Sequence, residues 1–598
     1  MHGKSLGRAR LIAALAAGIL AACPAVMGQG ACQRIRSACE DAGFAPGAAS
    51  SGNGLMLDCV VPIVQGRPQR RKASKPLPQV DPKIVASCKE QNPDFGQLKG
   101  ARGNGGQAAG FADQAIASGA GTAPPAASTA PPLASSSQHP NIIFILTDDL
   151  ALNLVQYMPH VLQMQKNGAT FTNYFVTDSL CCPSRSSIFT GRYPHSTGVF
   201  KNEGADGGYN AFVHLGNEPA AFANALSGAG YRAAMMGKYL NGYQPERDPA
   251  GPGWTEWDVA GNGYPEFHYT INKDGKIERR GNDPSDYLVD VLSGLGVDFI
   301  RQSKGHGFVI EIATFAPHAP YTPAPRDENA FPGLRAPRTP AYDVAPDGDS
   351  ARWLRNQPAL TDLDKSRIDD GFRKRAQSVL AVDKMIGDLQ AAVAAIGQEK
   401  NTYFVFSSDN GYHMGEHRLR PGKMTAFDTD IHVPLIVTGP GVPGGLSVDE
   451  VVENIDLNPT FTEMTGVAPM PTVEGHSLMS LLQGQKTKNN TNEDWRTVTL
   501  VEHHGPLHAP TDPDMPARRS GNPPSYEAIR SRTAVYVEYA DGDREYHDLV
   551  ADPWELHNTF SSLSQAQKDL LHAAVAAIQN CQDAASCWAA QHVKLGAW

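Results

Sequence analysis

Two adjacent cysteines, Cys181 and Cys182, head the run Pro183-Ser184-Arg185-Ser186-Ser187-Ile188-Phe189-Thr190-Gly191-Arg192. Proline suits the first turn of a helix, where its missing N–H costs nothing. Cys181 would then sit at the positive end of that helix with Arg185 about one turn inward, and together they favour an anion. A Cys-Cys pair taken by itself reads more plainly, as a buried thiol beside half of a disulfide. The helix start and the fixed cation make the pair a candidate reaction centre.

A second set of residues could hold a cation. Asp148 and Asp149 follow the apolar run 141–146, and Asp409 and Asn410 follow the run 403–406. These side chains offer only oxygen, which suits a hard divalent ion and argues against zinc. Either pair alone is as well explained by a turn or a helix cap. Two such strand ends beside the cysteine motif favour a metal site. Four protein oxygens make a dedicated cage, which fits Ca²⁺; Mg²⁺, the alternative, more often keeps several waters. Two more apolar runs end in reactive groups: Phe308–Ala313 leads to Pro317-His318, and 231–236 leads to Gly237-Lys238.

These polar endings need strands to carry them. From residue 141 short β-rich runs alternate with amphipathic helices, the pattern of an α/β fold with a large, mainly parallel central sheet flanked by helices. In open sheets of this kind ligands bind beyond the carboxyl ends of the strands, so the endings should converge on one cleft. Val379, Val382, Ile386, Leu389 and Val393 recur at helical spacing and mark a helix packed on the sheet. Residues 203–217 and the proline-rich stretch 321–345 are expected to wall the pocket. The chain turns polar at 486–493, which divides a catalytic domain, 140–490, from a smaller C-terminal α+β subdomain, 491–598. In the latter, 498–502 and 534–539 read as strands, and Ser564 with Gln567 reads as the capping box of a closing helix.

Cys-x-Pro-Ser-Arg followed by Thr-Gly-Arg at this spacing resembles the signature of the formylglycine-dependent sulfatases, and the likeness runs from Pro140 to Asn558. It ends with Tyr546-His547-Asp548-Leu549 and Asp552-Pro553-Trp554-Glu555-Leu556, similar to the family's closing motif. The resemblance implies an alkaline phosphatase-like fold, Cys181 converted to formylglycine by a formylglycine-generating enzyme, and a bound cation held by Asp148, Asp149, Asp409, Asn410 and the modified residue 181. One hydroxyl of the hydrated aldehyde would attack sulfur, and the second would then expel sulfate. Arg185 would orient the hydrate, Lys238 and Lys423 (in Gly422-Lys423-Met424) would bind sulfate, and His318 would protonate the leaving oxygen, a role its near-neutral pKa suits. The chain departs from many sulfatases two residues after Lys238, where Leu240 and Asn241 replace a histidine. The base for the second step is left open, with His413 nearest in sequence and a structural role its alternative. Phe372-Arg373-Lys374-Arg375 and Asp409-Asn410-Gly411-Tyr412-His413 are most similar to members acting on 6-sulfated N-acetylglucosamine of glycosaminoglycans; aryl sulfates are the other implied substrates. A phosphonate or phosphate ester hydrolase, or a glycan-binding protein with a degenerate cleft, are the readings to be separated from these.

At 598 residues, 41% hydrophobic and with a net charge of −10, the chain is a multi-domain globular enzyme with no signature of nucleic-acid binding. Its one basic cluster, 67–75, lies among prolines far from the motif. Residues 1–23 read as an export signal: Lys4, Arg8 and Arg10 precede an apolar stretch too short to span a bilayer. Leu20-Ala21-Ala22-Cys23 resembles a lipobox, which would tether the protein by lipid at Cys23 at the periplasmic or cell surface; ordinary cleavage near Gly28, with secretion, is the alternative. Residues 24–100 form a small cysteine-bearing module and 101–139 a linker rich in Ala, Gly, Ser and Pro. With Cys23 lipidated and Cys181 modified, seven cysteines remain, an odd set in which Cys182 is the thiol left over; Cys581 and Cys587 can close a small loop.

Overall fold

The computed structural model describes residues 140–484, 495–507 and 512–594, together with stretches between 35 and 91. The signal and Cys23, Cys32, the 101–139 linker and the polar stretch 486–493 lie outside the described residues. The chain divides into two compact units, Met1–Ala130 and Pro131–Trp598. In the first, helices Val61–Gln65 and Pro82–Gln91 accompany a Cys39–Cys59 disulfide. Ile35, Phe44, Val60 and Val64 gather around the sulfurs as a small core.

The second unit is built on a ten-stranded sheet. Its strands are β1 (Asn141–Thr147), β2 (Ala169–Phe171), β4 (Arg232–Gly237), β5 (Glu256–Gly261), β6 (Thr270–Lys273), β7 (Lys276–Arg279), β8 (Phe308–Ala313), β9 (Thr402–Ser408), β10 (Leu435–Thr438) and β11 (Leu446–Val448). A separate short pair joins β3 (Tyr174–Phe175) to β12 (Val452–Glu453). The order is β11-β2-β10-β9-β1-β8-β4-β5-β6-β7. The five central strands, β9 to β5, are parallel, as the alternation of runs and helices implies, whereas β10 pairs antiparallel with both neighbours and β6 and β7 add an antiparallel hairpin. That hairpin turns on Asp274 and Gly275, both at positive φ (48° and 88°), the Asp-Gly combination that tight hairpins favour.

The central strands read as unbroken apolar runs because both faces of the sheet are covered. Along β1, Ile142, Phe144 and Leu146 enter one core while Ile143 and Ile145 enter the other. Helices α1 (Cys181–Thr190), α2 (Leu288–Gln302) and α3 (Asp362–Ala395) follow. Residues Val379, Val382, Ile386, Leu389 and Val393 are buried as their spacing requires, but α3 begins well before them, at a capping box between Thr361 and Asp364. Its first turns carry charges in place of an apolar stripe, so periodicity alone reveals only the second half. The C-terminal part is a four-stranded antiparallel sheet, β13 (Val498–His503), β14 (Tyr526–Ser531), β15 (Ala534–Tyr539) and β16 (Arg544–Asp548). It packs against α4 (Gln565–Gln579), capped by Ser564 and Gln567, and α5 (Ala584–Ala590). Cys581 and Cys587 form a disulfide, while Cys182 is a free, buried thiol.

One core residue breaks the apolar rule. Glu311, in the middle of β8, is fully buried, and neither carboxylate oxygen has a hydrogen-bond partner among the described residues. Burial pushes its pKa up to about 8, against the pull of Arg185. The folded protein therefore holds a proton that the unfolded chain releases above its ordinary carboxylate range, and stability is lost as pH rises from there towards 8. In Glu311→Gln that loss should vanish: its melting temperature relative to the parent rises between pH 5 and pH 8, by the equivalent of about 3 kcal/mol. A difference independent of pH would show that Glu311 is not held neutral.

Candidate active site

Parallel register brings the first two acidic ends together. Thr147 of β1 pairs with Ser408 of β9, so Asp148 and Asp409 leave the sheet side by side, and Asp409 N–H donates to Thr147 O at 3.1 Å. Asp409 Oδ1 accepts from Asp149 N–H (3.1 Å) and Asn410 N–H (2.8 Å), while Asn410 Nδ2 donates to Asp149 Oδ1 (2.7 Å). On the other side of β1, Gly237 ends β4 opposite Ala313 of β8, at φ 88°. A Cβ at Gly237 would lie 2.0 Å from Ala313 O, so only glycine lets the chain turn here and aim Lys238 inward. Lys238 Nζ then donates to Asp148 Oδ2 at 2.5 Å.

Helix α1 begins at Cys181, with Pro183 in its first turn, and all ten of its residues are buried. The Cys181 thiol donates to Asp148 Oδ1 at 3.2 Å and accepts from Lys423 Nζ at 2.8 Å. Arg185, one turn along, is fully buried; its Nε donates to Asp409 Oδ2 at 2.8 Å and its Nη1 to Lys238 O at 2.9 Å. Lys423 Nζ also donates to Asp149 Oδ1 at 2.6 Å. His318 Nε2 lies 3.6 Å from Asp149 Oδ2. Of the residues singled out from sequence, Asp148, Asp149, Asp409, Asn410, Cys181, Arg185, Lys238, His318 and Lys423 thus come together.

His413 does not join them. Its Nδ1 faces Asp430 (3.0 Å), its N–H donates to Gly422 O (2.9 Å), and its ring packs behind Gly422 and Gly521. No hydrogen bond or ion pair joins His413 to Cys181 or the Lys423 ammonium among the described residues, and of its two readings, base or structural, these contacts fit the support of the turn that carries Lys423. Pairing with Gly422 fixes the ring's direction, which nearness in sequence to Asp409 could not.

Two residues to which the sequence assigned no role of their own complete the centre. Asp514, from the stretch between β13 and β14, accepts from His318 Nε2 and stands by Lys423 Nζ, both at 2.7 Å, and takes a third hydrogen bond from Asn202 Nδ2 at 2.7 Å. A carboxylate therefore rests on two of the cations of an anion site. Arg375 of α3 donates to Pro317 O at 3.1 Å and to Asp149 O, and its guanidinium lies 4.3 Å from the Tyr412 ring centroid, bracing the loops that carry Asp149 and His318. The cavity above the cluster, about 240 Å³, is lined by Asp149, His318, Tyr321, Tyr412, Lys423 and the segment Pro513 to Ala517. Of the two expected walls, 321–345 contributes Tyr321, and 203–217 contributes nothing.

Charge sets the protonation of these groups. Burial, reinforced by Asp148, Asp409 and Asp514, pushes the Cys181 thiol well above its ordinary range, so it is neutral and a poor nucleophile. Burial acts against the charged forms of Lys238, Lys423 and His318, but the surrounding carboxylates outweigh it and hold all three above their usual values. His318 is thereby kept as a proton donor. Asp409 is held down at about 2 because Arg185, Lys238 and Lys423 overcome burial. Asp148, Asp149, Cys181 and His318 place potential ligand atoms within 4.8 Å of one another, a cluster that can hold a metal ion.

A buried nucleophile position ringed by cations at the carboxyl ends of a parallel sheet is the site of a hydrolase for anionic esters. Residues 140–467 match the sulfatase family model, and 415–580 match the model for the C-terminal region of N-sulphoglucosamine sulphohydrolase. The chain belongs to the sulfatase family, has its alkaline phosphatase-like fold, and is a sulfuric ester hydrolase. It is 33% identical over 482 residues to the N-acetylglucosamine-6-sulfatase of Homo sapiens, covering 74% of this chain and 85% of that one. To the arylsulfatase of Volvox carteri it is 28% identical over 500 residues, 74% of this chain and 75% of that one. A solved structure described as in complex with its substrate D-glucosamine-2-N,6-O-disulfate shares the fold, with a TM-score of 0.63 over 77% of this chain and 100% of that one, at 21% identity.

Proposed function

We propose that the chain removes 6-O-sulfate from N-acetylglucosamine units of sulfated glycans, using formylglycine at position 181 and one Ca²⁺. The observation that carries the mechanism is the convergence on residue 181: at the start of α1 its side chain meets Asp148 Oδ1 at 3.2 Å and Lys423 Nζ at 2.8 Å, with Arg185 one turn along, where a nucleophile for an anionic ester is required and an unmodified buried thiol is a poor one. Conversion to the hydrated aldehyde supplies an oxygen nucleophile at that point, with a second hydroxyl through which sulfate can be expelled. The substrate follows the relatives named N-acetylglucosamine-6-sulfatase, 33% identical over most of the chain.

The donor set fits a hard cation. Asp148, Asp149 and Asp409 supply carboxylates, and Asn410 Oδ1 is buried with no hydrogen-bond partner among the described residues, an acceptor without a donor. When bound, the ion would offset the charge of sulfate and of the nucleophile. The side chains carry the other tasks. Lys238 and Lys423 bind sulfate oxygens, Arg185 holds Asp409 and the start of α1 in place, and His318, kept charged by its carboxylate neighbours, gives a proton to the leaving alcohol. The signal-like N-terminus, with lipid at Cys23 or cleavage beyond it, would send the enzyme out of the cytoplasm, after a formylglycine-generating enzyme has acted on it.

Sulfate release from N-acetylglucosamine-6-sulfate by protein matured in its own host tests the substrate, with matched aryl sulfate and aryl phosphonate esters alongside. Release from the sugar is the expected result. Turnover of aryl sulfate with none of the sugar would reject the glucosamine assignment, and faster phosphonate than sulfate turnover would reject the sulfate ester as the substrate.

A further inference from the structure

Beside the catalytic cavity lies a larger groove of about 960 Å³, formed by the first turns of α3 and by residues of the preceding loop. Six cationic side chains line it, Arg335, Arg338, Lys365, Arg367, Arg373 and Lys374, against three carboxylates, Asp362, Asp369 and Asp370. The chain as a whole carries a net charge of −10, so this concentration of positive charge runs against its average, and a concave wall focuses the field. Tyr321 lines both the groove and the catalytic cavity. Its ring rests on α3 at Gly371, where a Cβ would come within 3.3 Å of it.

A charged run on a helix is ordinarily a solvated face, with opposite signs paired along it. Here the pairing is incomplete. Asp370 is shared between Arg373 and Lys374, the latter at 2.9 Å, and Asp369 between Arg338 at 2.8 Å and Arg335 at 4.0 Å. Lys365 reaches Asp343 at 2.7 Å. Arg367 has no ion-pair partner among the described residues, and the side chain of Arg335 is 78% exposed. The groove thus keeps two guanidinium groups, Arg335 and Arg367, that its carboxylates hold loosely or not at all, and six cations against three carboxylates leave it positive even though Asp362 also has no ion-pair partner among the described residues.

We propose that this groove is a second substrate-binding site, which takes the sulfate and carboxylate groups of neighbouring units in a sulfated glycan chain while one sulfate ester lies in the catalytic cavity. The proposal rests on the reading of the substrate as a sulfated glycan. Planar guanidinium groups match sulfate and carboxylate oxygens two at a time, and Tyr321 is the common wall along which a chain passes from one cavity to the other. The enzyme would then prefer oligosaccharides to the isolated sulfated sugar, and salt would weaken that preference.

The test uses the full-length, host-matured enzyme and the triple variant Arg335→Ser/Arg367→Ser/Lys374→Ser. Desulfation of N-acetylglucosamine-6-sulfate, of a sulfated oligosaccharide containing it and of an aryl sulfate is followed at low and high salt. In the variant, kcat/KM for the oligosaccharide should fall about tenfold, chiefly through KM, with the monosaccharide and aryl sulfate within about twofold of the parent. The parent's preference for the oligosaccharide should shrink as salt is added. An unchanged oligosaccharide rate, or an equal fall on all three substrates, overturns the groove while leaving the glycan substrate standing. A parent that cleaves the aryl sulfate and neither sugar substrate overturns the glycan reading and the groove's occupant with it.

Discussion

Cys181→Ala should lower turnover of every sulfate ester by at least ~10⁴-fold with the far-ultraviolet circular dichroism unchanged. The side chain is small and fully buried, so its loss removes little packing, whereas Asp148, Lys423 and the start of α1 all converge on the atom it carries. The same argument predicts that protein made without a formylglycine-generating enzyme behaves like the alanine variant. Its thiol is held protonated by burial and has no hydroxyl on the same carbon through which to expel sulfate. The mass of the peptide containing residue 181 distinguishes the two preparations from the mature enzyme. Full turnover by a protein whose peptide carries an intact thiol would sink the formylglycine mechanism.

The second large effect is expected at Asp409. Its Oδ1 orders the Asp149 and Asn410 backbones, and its Oδ2 meets Arg185, a buried guanidinium. Removing the whole carboxylate would leave that cation with Asp148, at 3.9 Å, as its one remaining ionic partner among the described residues, at a cost of up to roughly 3–5 kcal/mol. Asp409→Asn keeps a carbonyl oxygen and removes one negative charge from the donor set. It should retain its fold, lose bound Ca²⁺ by elemental analysis, and turn over at least ~100-fold more slowly. Adding Ca²⁺ well above the level that saturates the parent should recover part of the rate. Stoichiometric Ca²⁺ with near-parental turnover in the variant would remove Asp409 from the metal site.

The positions that sequence made legible share a physical cause. Strands β1, β8 and β9 are buried on both faces, so each is an unbroken apolar run, and chemistry placed directly after such a run is placed at the end of a strand. Asp148 and Asp409 could be located for that reason, and Lys238 for the same reason after the nearly continuous run of β4. The flank of the sheet beyond β10 was less visible because β2 and β11 are only three residues long, too short to carry a pattern. Asp514 was harder to find: it lies in a polar segment without periodicity and meets His318 across 196 residues of chain. The Asp-x-Asp of Asp512 and Asp514 is a signal that could have pointed to it, but that pattern is common in turns. Arg375 appeared in a motif, but its task of bracing Asp149 and Pro317 depends on the packing of α3.

The burial of residue 181 has a consequence for the order of events in the cell. No part of Cys181 is accessible once the fold is complete, and Asp514 and the segment around it, which close the cavity, lie far towards the C-terminus. At ordinary synthesis rates the ribosome needs some tens of seconds to travel from residue 181 to that segment. Under the proposed conversion to formylglycine, the modifying enzyme would have to use this interval or hold the chain open beyond it. On that mechanism, a chain that folds first would keep an inert thiol. Its yield of active molecules is then set by a race between modification and folding, and overproduction would dilute activity per molecule without altering the structure of any of them.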